Sequence, residues 1–472
     1  MKYLNVLRWM LPVLLFSCAD WLDVNPKTDM KSEVLYTTEN GFKSALTGIY
    51  GRMSKGSAYG GTLTFNFMEQ LAQRYDQKEV SETERAKIYD YKSNASSKSN
   101  VNTTWSFMYQ TLANINNLLK FLDVNAQYIT TPGYREIMKG EALGLRAFHY
   151  FDLLRMWGPC RFAENKSVKV LPYRDQFLPD KVALMSADSI AIRIIADLKE
   201  AEILLENDPM ELLHNPEEPF MANRRLRMNK YAVKALMARV FLWIGDKENA
   251  ALKAQEVIDG CGMKLVRDNR NDAAFYEETL FGLHMYNMYQ NLSEYFFAEY
   301  SENAGLWITK DNVDAVFEAN SIGMNDIRYK GSYGFIFYTT PSREVKAMCR
   351  KYLEVASSVY KENIPLIRLS EMYYILAECL SYEEGAQMLN MVRKARGISQ
   401  QYSVSFSTEE QRAEELEKEY QKDFFCEGQF FYFLKRYERK DFYRCPKAGS
   451  MKTEDYVFPV PDGEVEYGWV EY

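Results

Sequence analysis

In "TWSFMYQTLANINNLLKFLD", which begins at Thr104, the apolar residues Trp105, Met108, Leu112, Ile115 and Leu119 recur at intervals of three and four. That spacing puts them along one side of a 3.6-residue repeat and predicts a helix with one buried face. Upstream, "TTENGFKSALTGIYGRMSKG" predicts a helix starting near Thr38, with Thr37 or Thr38 as N-cap and a glutamate in the first turn. Downstream, Thr131-Pro132-Gly133 interrupts the pattern, and "YREIMKGEALGLRAFHYFDLLRMWGP" resumes it until Gly158-Pro159. Another helix is predicted from Ser186 to Leu205.

The middle of the chain repeats this grammar. "NKYAVKALMARVFLWIGDKENAALKAQEVID" sets Ala232, Ala235 and Ala238 along one helix, turns at Gly245-Asp246, and continues with Ala251, Ala254 and Ile258. Small residues at those intervals let two antiparallel helices approach closely, and the unit resembles a tetratricopeptide helix pair. "IPLIRLSEMYYILAECLSYEEGAQMLNMVRKARG" repeats the design with Tyr373, Leu376 and Ala377, a turn ending at Gly385, then Ala386, Leu389 and Val392. Three or four such pairs are expected, but not one every ~34 residues as in an uninterrupted solenoid. Residues 264–362, rich in Tyr, Asn, Gly and Phe, lack sustained periodicity and read as a long loop insertion. "TEEQRAEELEKEYQKDFF", from Thr408, reads as a charged amphipathic helix with a solvated face.

Hydrophobic residues at 47% and charged residues at 26% of 472 are globular proportions, and a net charge of −7 supplies no field for a phosphate backbone. Nucleic acid is therefore not an expected partner. Aromatic residues reach 14%, a rather high share whose flat faces and polar tips suit sugar or peptide recognition as well as core packing.

The first residues read as an address. Lys2 and Arg8 form a positive segment, Trp9 to Phe16 a short apolar one, and Leu15-Phe16-Ser17-Cys18 looks like a bacterial lipobox. Residues 1–17 are expected to be a signal peptide and Cys18 the acylated first residue of a tethered, non-spanning protein. The other cysteines, Cys160, Cys261, Cys349, Cys379, Cys426 and Cys445, include no C-x-x-C pair, so no zinc or thioredoxin-like motif is indicated and mostly free, buried thiols are expected. His149, His214 and His284 are scattered, with His149 expected to be a structural helix residue, and no nucleophile elbow, P-loop or dinucleotide fingerprint is present. Two carboxylates for glycoside hydrolysis leave no short motif, so that alternative stays open.

Four stretches occur in a recognisable order: a lipobox cysteine with "DWLDVNP"; "GLRAFHYFDLLRMWGP" from Gly144; "IPLIRLSEMYYILAE" from Ile364 with "LNMVRKARG" from Leu389; and "FCEGQFFYFLKRY" from Phe425. With "FPVP" from Phe458 they resemble the SusD/RagB family of surface nutrient-binding lipoproteins over essentially the whole chain. The chain departs from that family at Phe430 and Phe433, where an arginine and an aspartate are usual, and in its tail.

The resemblance implies a mainly α protein of about four tetratricopeptide-like pairs, forming a single domain over 18–472 with a loop-rich insertion around 264–362. It implies an outer-membrane, lipid-anchored, surface-exposed protein without cofactor beyond that anchor. Its partner would be a SusC-like TonB-dependent transporter, its ligand a glycan or in some relatives an oligopeptide, and it would bind without cleaving. A lipid-anchored hydrolase and a purely protein-binding scaffold are the alternatives. Sugar rings present apolar faces bordered by hydroxyls, so aromatic platforms rimmed by Asn, Asp and Arg are sought. Two non-periodic regions, "QRYDQKEVSETERAKIYDYKSN" from Gln73 and residues 284–335, supply the candidates Tyr75, Asp76, Tyr89, Tyr91, Asn94, Tyr286, Tyr289 and Trp307. Asp326 and Arg328 resemble a D-x-R element of the family and are expected to fix a loop.

Overall fold

A computed structural model of the chain describes residues 32–472 apart from 77–80, 179–180, 210–218, 297–304, 331–333, 353–360, 468–469 and 472. Residues 1–17, expected to be a signal peptide, and Cys18 lie outside the described residues.

The protein is mainly α. Helix α1 (Glu39–Met53) is followed by α2 (Ala95–Val124), α3 (Tyr134–Trp157), α4 (Ala187–Leu204), α5 (Lys230–Ile244) and α6 (Lys247–Gly260). The insertion contributes α7 (Met288–Phe296) and α8 (Lys310–Phe317), and the C-terminal part α9 (Leu369–Cys379), α10 (Tyr382–Ala395), α11 (Glu409–Asp423) and α12 (Gln429–Tyr437). From α2 to α6 each helix packs on the next, and α6 then packs on α9 and α9 on α10, so the paired helices form a tetratricopeptide-like array around the insertion. Buried side chains from Tyr36 to Phe458 join in one connected core.

Local chemistry sets the helix ends. Thr38 caps α1, its Oγ1 accepting from the Gly41 amide at 3.1 Å. Helix α2 begins nine residues before Thr104, because Asn94 Oδ1 accepts from the Ser97 amide at 3.0 Å and Ser97 and Val101 are buried. Along α3, Gly140 and Gly144 have no side chain because the space is taken: a Cβ there would come within 2.6 Å of Leu205 and 2.5 Å of Met228. Helix α5 buries Ala232, Ala235 and Ala238 as its pattern predicts, but α6 turns Ala250, Ala254 and Val257 inward in place of Ala251, Ala254 and Ile258. Gly245 and the cap Asp246 make the turn into α6, and packing on α5 and α9 chooses the face.

The insertion is not simply loop. Strands β1 (Lys169–Pro172), β2 (Val182–Ser186) and β8 (Val470–Glu471) form a peripheral ladder, while β3 (Thr279–His284) pairs antiparallel with β7 (Asn363–Arg368). The order β4–β6–β5 joins Ile308–Thr309, Val345–Cys349 and Phe335–Thr339 into a small antiparallel sheet. The β3–β7 and β4–β6 pairings are non-local, so no short-range turn signal announces them, whereas β5 and β6 form a hairpin closed by the Thr340 amide donating to the Glu344 carbonyl at 2.9 Å.

Helix α11 is amphipathic with a solvated face, as its pattern predicts, and in addition buries charge at its C-terminal end. Glu409, Glu410, Gln411, Glu414 and Lys418 are exposed while Arg412, Ala413 and Leu416 face the core, and Glu419, Lys422 and Asp423 near its end are buried too. Asp423 accepts from Arg396 Nε at 3.0 Å and from Ser370 Oγ at 2.6 Å, and lies 3.1 Å from Arg368. Burial alone would push its carboxyl up, but Arg368, Arg396 and Arg328 hold it well below the usual carboxylate range. Asp326 and Arg328 belong to the same network: Arg328 donates to Asp326 at 2.9 and 2.6 Å and to Glu419 at 2.8 Å, which fixes the loop as expected.

Lys435 on α12 is a buried cation of another kind. Its Nζ donates to the Met156 carbonyl at 2.9 Å, and burial pushes its amine down to about 7. Below pH 7 both folded and unfolded lysine are charged and the desolvation cost is complete; between pH 7 and the unfolded value near 10.4 the unfolded state holds the extra proton, so stability rises with pH. Lys435→Met is therefore expected to stabilise the protein by about 2 kcal/mol at pH 6. The gain should shrink steadily toward pH 10, as read by urea midpoints, and a gain independent of pH would contradict this account. Met156 keeps a donor in the variant, since the Phe458 amide also reaches its carbonyl, at 3.1 Å.

Candidate functional site

The two non-periodic regions meet. The Asp76 amide donates to the Trp307 carbonyl at 2.8 Å, and the Asp76 carboxylate accepts from the Thr309 amide at 2.6 Å, from Thr309 Oγ1 at 3.0 Å and from Asn312 Nδ2 at 3.0 Å. Arg444 closes the knot by pairing with Asp76 and donating to the carbonyls of Gln73 at 2.8 Å and Tyr75 at 3.0 Å. Beside this knot lies a small cavity of about 220 Å³, lined in part by Gln73, Tyr75, Arg85 and Asn94.

Most of the candidates here are held in packing or capping positions. Tyr75 is buried, its hydroxyl donating to the Phe65 carbonyl at 2.5 Å. Tyr89 and Tyr91 are buried likewise, donating to the carbonyls of Leu71 and Asp455, each at 2.6 Å. Trp307 is buried with Lys346 Nζ 3.4 Å above its ring, and Asn94 is the α2 cap. The physical reason is common to the tyrosines. A phenol has one polar atom, and once a buried backbone carbonyl takes it the ring can pack as a hydrophobe. Aromatic content in a non-periodic stretch does not distinguish that case from an exposed platform.

Tyr286 and Tyr289 are different: they are 75% and 46% exposed. Strand β3 leads to them, and Met285 extends its ladder by donating to the Glu362 carbonyl at 2.8 Å. Met285 and Met288 are buried and anchor the turn, while Asn287 adopts φ +54°, a left-handed conformation that asparagine tolerates. Asn291 Nδ2 donates to the Tyr286 carbonyl at 3.0 Å and stiffens the bend into α7.

Beside these rings is a cleft of about 740 Å³ between α1 and α7, walled by Tyr50, Ser54, Lys55, Arg227, His284, Tyr286, Asn291 and Tyr295 among others. Its floor is electrostatically stiff. Glu141 is fully buried, accepting from Arg224 at 2.5 Å, from Arg227 Nε at 2.9 Å and from the Tyr50 hydroxyl at 2.5 Å. Burial opposes ionisation, but Arg224 and Arg227 hold the Glu141 carboxyl below its ordinary value. The Arg227 guanidinium lies 4.4 Å from the Phe220 ring centre, and its Nη2 is buried with no partner among the described residues. Sequence reasoning passed over Arg227, Tyr50 and His284, because only the tertiary fold brings residues from 47 to 295 to one wall.

Among the described residues no group of His, Cys, Asp and Glu is placed to hold a metal ion, and no helix is long and apolar enough to cross a membrane. His149 is buried, its Nδ1 2.8 Å from the Leu145 carbonyl, and burial pushes it down to about 4, as befits a neutral structural side chain.

Two family models match the chain in succession, one described as starch-binding associating with the outer membrane over residues 20–242 and one described as the SusD family over residues 266–458. The chain belongs to the SusD/RagB family. A SusD-like protein of Formosa agariphila is 24% identical over 423 residues, covering 82% of this chain and 80% of the relative. A SusD superfamily protein of Bacteroides thetaiotaomicron matches in structure with a TM-score of 0.68 at 21% identity, covering 92% of this chain and 99% of its own. A putative sugar binding protein from Bacteroides vulgatus gives 0.67 at 21% identity over 92% and 98%, and Bacteroides fragilis NanU 0.66 at 19% over 93% and 97%. These similarities establish the shared fold.

The structure also accounts for this SusD/RagB member's departure at Phe430 and Phe433. Both are buried, with ring centres 6.2 Å apart and nearly parallel, and the Arg74 guanidinium lies 5.4 Å from Phe430. Aromatic packing fills the place of the usual arginine and aspartate.

Proposed function

We propose that this SusD/RagB protein is a nutrient-binding lipoprotein that captures an oligosaccharide in the cleft between α1 and α7 and passes it, uncleaved, to a TonB-dependent outer-membrane transporter. In this reading residues 1–17 are removed and Cys18 carries the lipid. The observation that carries the ligand assignment is the exposed Tyr286 on the wall of a cleft of about 740 Å³, with a second exposed ring, Tyr289, in the following turn of chain. Flat rings match the apolar faces of pyranoses, while Arg227, His284, Asn291 and Ser54 offer hydrogen bonds to their hydroxyls.

Several facts support binding without catalysis. Hydrolysis of a glycosidic bond needs two carboxyl groups roughly 5 to 9.5 Å apart across the sugar. The described residues lining the cleft include no aspartate or glutamate, and Glu141 beneath it is engaged by two arginines. The family description as starch-binding and the sugar-binding structural relative point to the same ligand class.

Titration calorimetry of the purified protein against a panel of oligosaccharides and oligopeptides tests the reading. Saturable heat with a glycan and no new reducing ends after prolonged incubation are expected. New reducing ends would establish a hydrolase, and heat with peptides alone would replace the ligand class.

A further inference from the structure

We propose, resting on the saccharide reading above, that the ligand of the cleft between α1 and α7 is acidic, carrying a carboxylate or a sulfate, and that Lys55 selects it. The cleft wall gathers basic side chains from three distant parts of the chain, Lys55, Arg227 and His284, while the described residues that line it include no aspartate or glutamate. The whole chain holds more acidic than basic residues, 65 against 58, so a wall with basic groups and no acidic one runs against its composition.

The three basic groups are not equivalent. Beneath the cleft the charges balance, Glu141 and Asp208 standing against Arg224 and Arg227. His284 Nε2 lies 3.8 Å from a carboxylate oxygen of Glu362, which is not on the cleft wall. Lys55 is exposed, and its ammonium has no ion pair or hydrogen bond among the described residues. Nor is that ammonium needed to finish α1. The last four carbonyls of the helix already have donors: the Ser54 amide reaches Tyr50, the Ser54 hydroxyl Gly51 and the Lys55 amide Arg52, each at 3.1 Å, and the Tyr59 amide reaches Met53 at 3.2 Å. A lysine just past a helix often serves those carbonyls, and here that service is supplied by other groups.

A lysine on the wall of a binding cleft with three free donors and an unspent charge is matched by an anion. A neutral sugar covering it would remove water from the ammonium without returning a counter-charge, which costs free energy. An anionic substituent there accepts a charge-assisted hydrogen bond, roughly twice as strong as a neutral one. The same ligand can lay its ring on Tyr286, which lines the same cleft. With no carboxylate among the described lining residues, an acidic saccharide meets no like charge on the wall. Carboxylate and sulfate share this chemistry, and the test separates them.

The purified protein is titrated by calorimetry with matched pairs of saccharides. Tetrasaccharides of galacturonate and of glucuronate-bearing xylan are each set beside their carboxyl-reduced forms, and a sulfated galactan tetrasaccharide beside its desulfated form. An acidic member is expected to bind about fivefold more tightly than its neutral partner at low salt, the ratio falling toward one at about 500 mM salt. The pair that shows the ratio identifies carboxylate or sulfate as the recognised group. Lys55→Gln should bring the ratio close to one, and Lys55→Arg should keep it. A neutral partner bound as tightly as the acid or more so, or a ratio that survives Lys55→Gln, overturns the charge selection and leaves the saccharide reading standing. If no saccharide binds, the saccharide reading falls and the charge selection with it.

Discussion

Asp423→Ala is expected to destabilise this protein by about 3 to 5 kcal/mol, a large part of its stability. Asp423 is fully buried and faces the guanidinium groups of Arg368 and Arg396, also fully buried, with Arg328 3.4 Å away. Glu278 and Glu427 complete the neutralisation, Glu278 accepting from Arg396 at 2.6 Å and Glu427 from Arg368 at 3.0 Å. Removing one partner of a buried ion pair strands the others without compensation, at a cost of about 3 to 5 kcal/mol, against a total stability of roughly 5 to 15 kcal/mol. The control lies on the same helix: Glu410 is exposed, and its replacement by alanine should change stability by less than about 0.5 kcal/mol. Urea midpoints of the two variants measure the contrast, and similar midpoints would show the network to be inessential. The wild-type network has a pH signature as well. Because the folded carboxyl titrates below its unfolded value, its contribution is complete above pH 4 and is lost as pH falls below that.

The double variant Tyr286→Ala, Tyr289→Ala should weaken glycan binding about thirtyfold while leaving the fold intact. Each ring contributes about 1 kcal/mol as a stacking face, and 2 kcal/mol corresponds to roughly that factor in Kd. Both side chains are largely exposed, so their truncation leaves no cavity in the core. Tyr75→Phe is the informative contrast. Its hydroxyl serves the Phe65 carbonyl inside the core, so this change should lower the melting midpoint and spare affinity. Calorimetry with the best glycan of the panel, together with thermal melts, separates the two. Unchanged affinity in the double variant would place the ligand elsewhere, the first place to look being the small cavity beside Asp76.

The position of Tyr286 illustrates how far the chain could be read in advance. Its presence in an aromatic, non-periodic stretch marked it as a candidate, but the same signal marked Tyr89 and Tyr91, whose hydroxyls end on the Leu71 and Asp455 carbonyls inside the core. What separates them is whether a distant segment arrives to cover the ring. Arg227 and Tyr50 escaped notice because neither lies in an unusual local setting; they matter through Glu141, which both contact.

Helix positions, pairing by small residues and the cap at Thr38 were legible because their causes lie within a few residues: periodic burial, a side-chain oxygen three positions from an amide, a glycine after the last turn. The resemblance to SusD/RagB proteins was readable for the same reason, resting on short stretches in order. Tertiary structure alone decided which way α6 turns, that the end of α11 is buried, that the insertion forms ladders, and that a cleft opens between α1 and α7. Each of those outcomes depends on groups far apart in the chain, as with Asp76 and Arg444, 368 positions apart. A charge or ring carries no local mark of whether such a partner will reach it, since only the folded contacts set its desolvation and its neighbours.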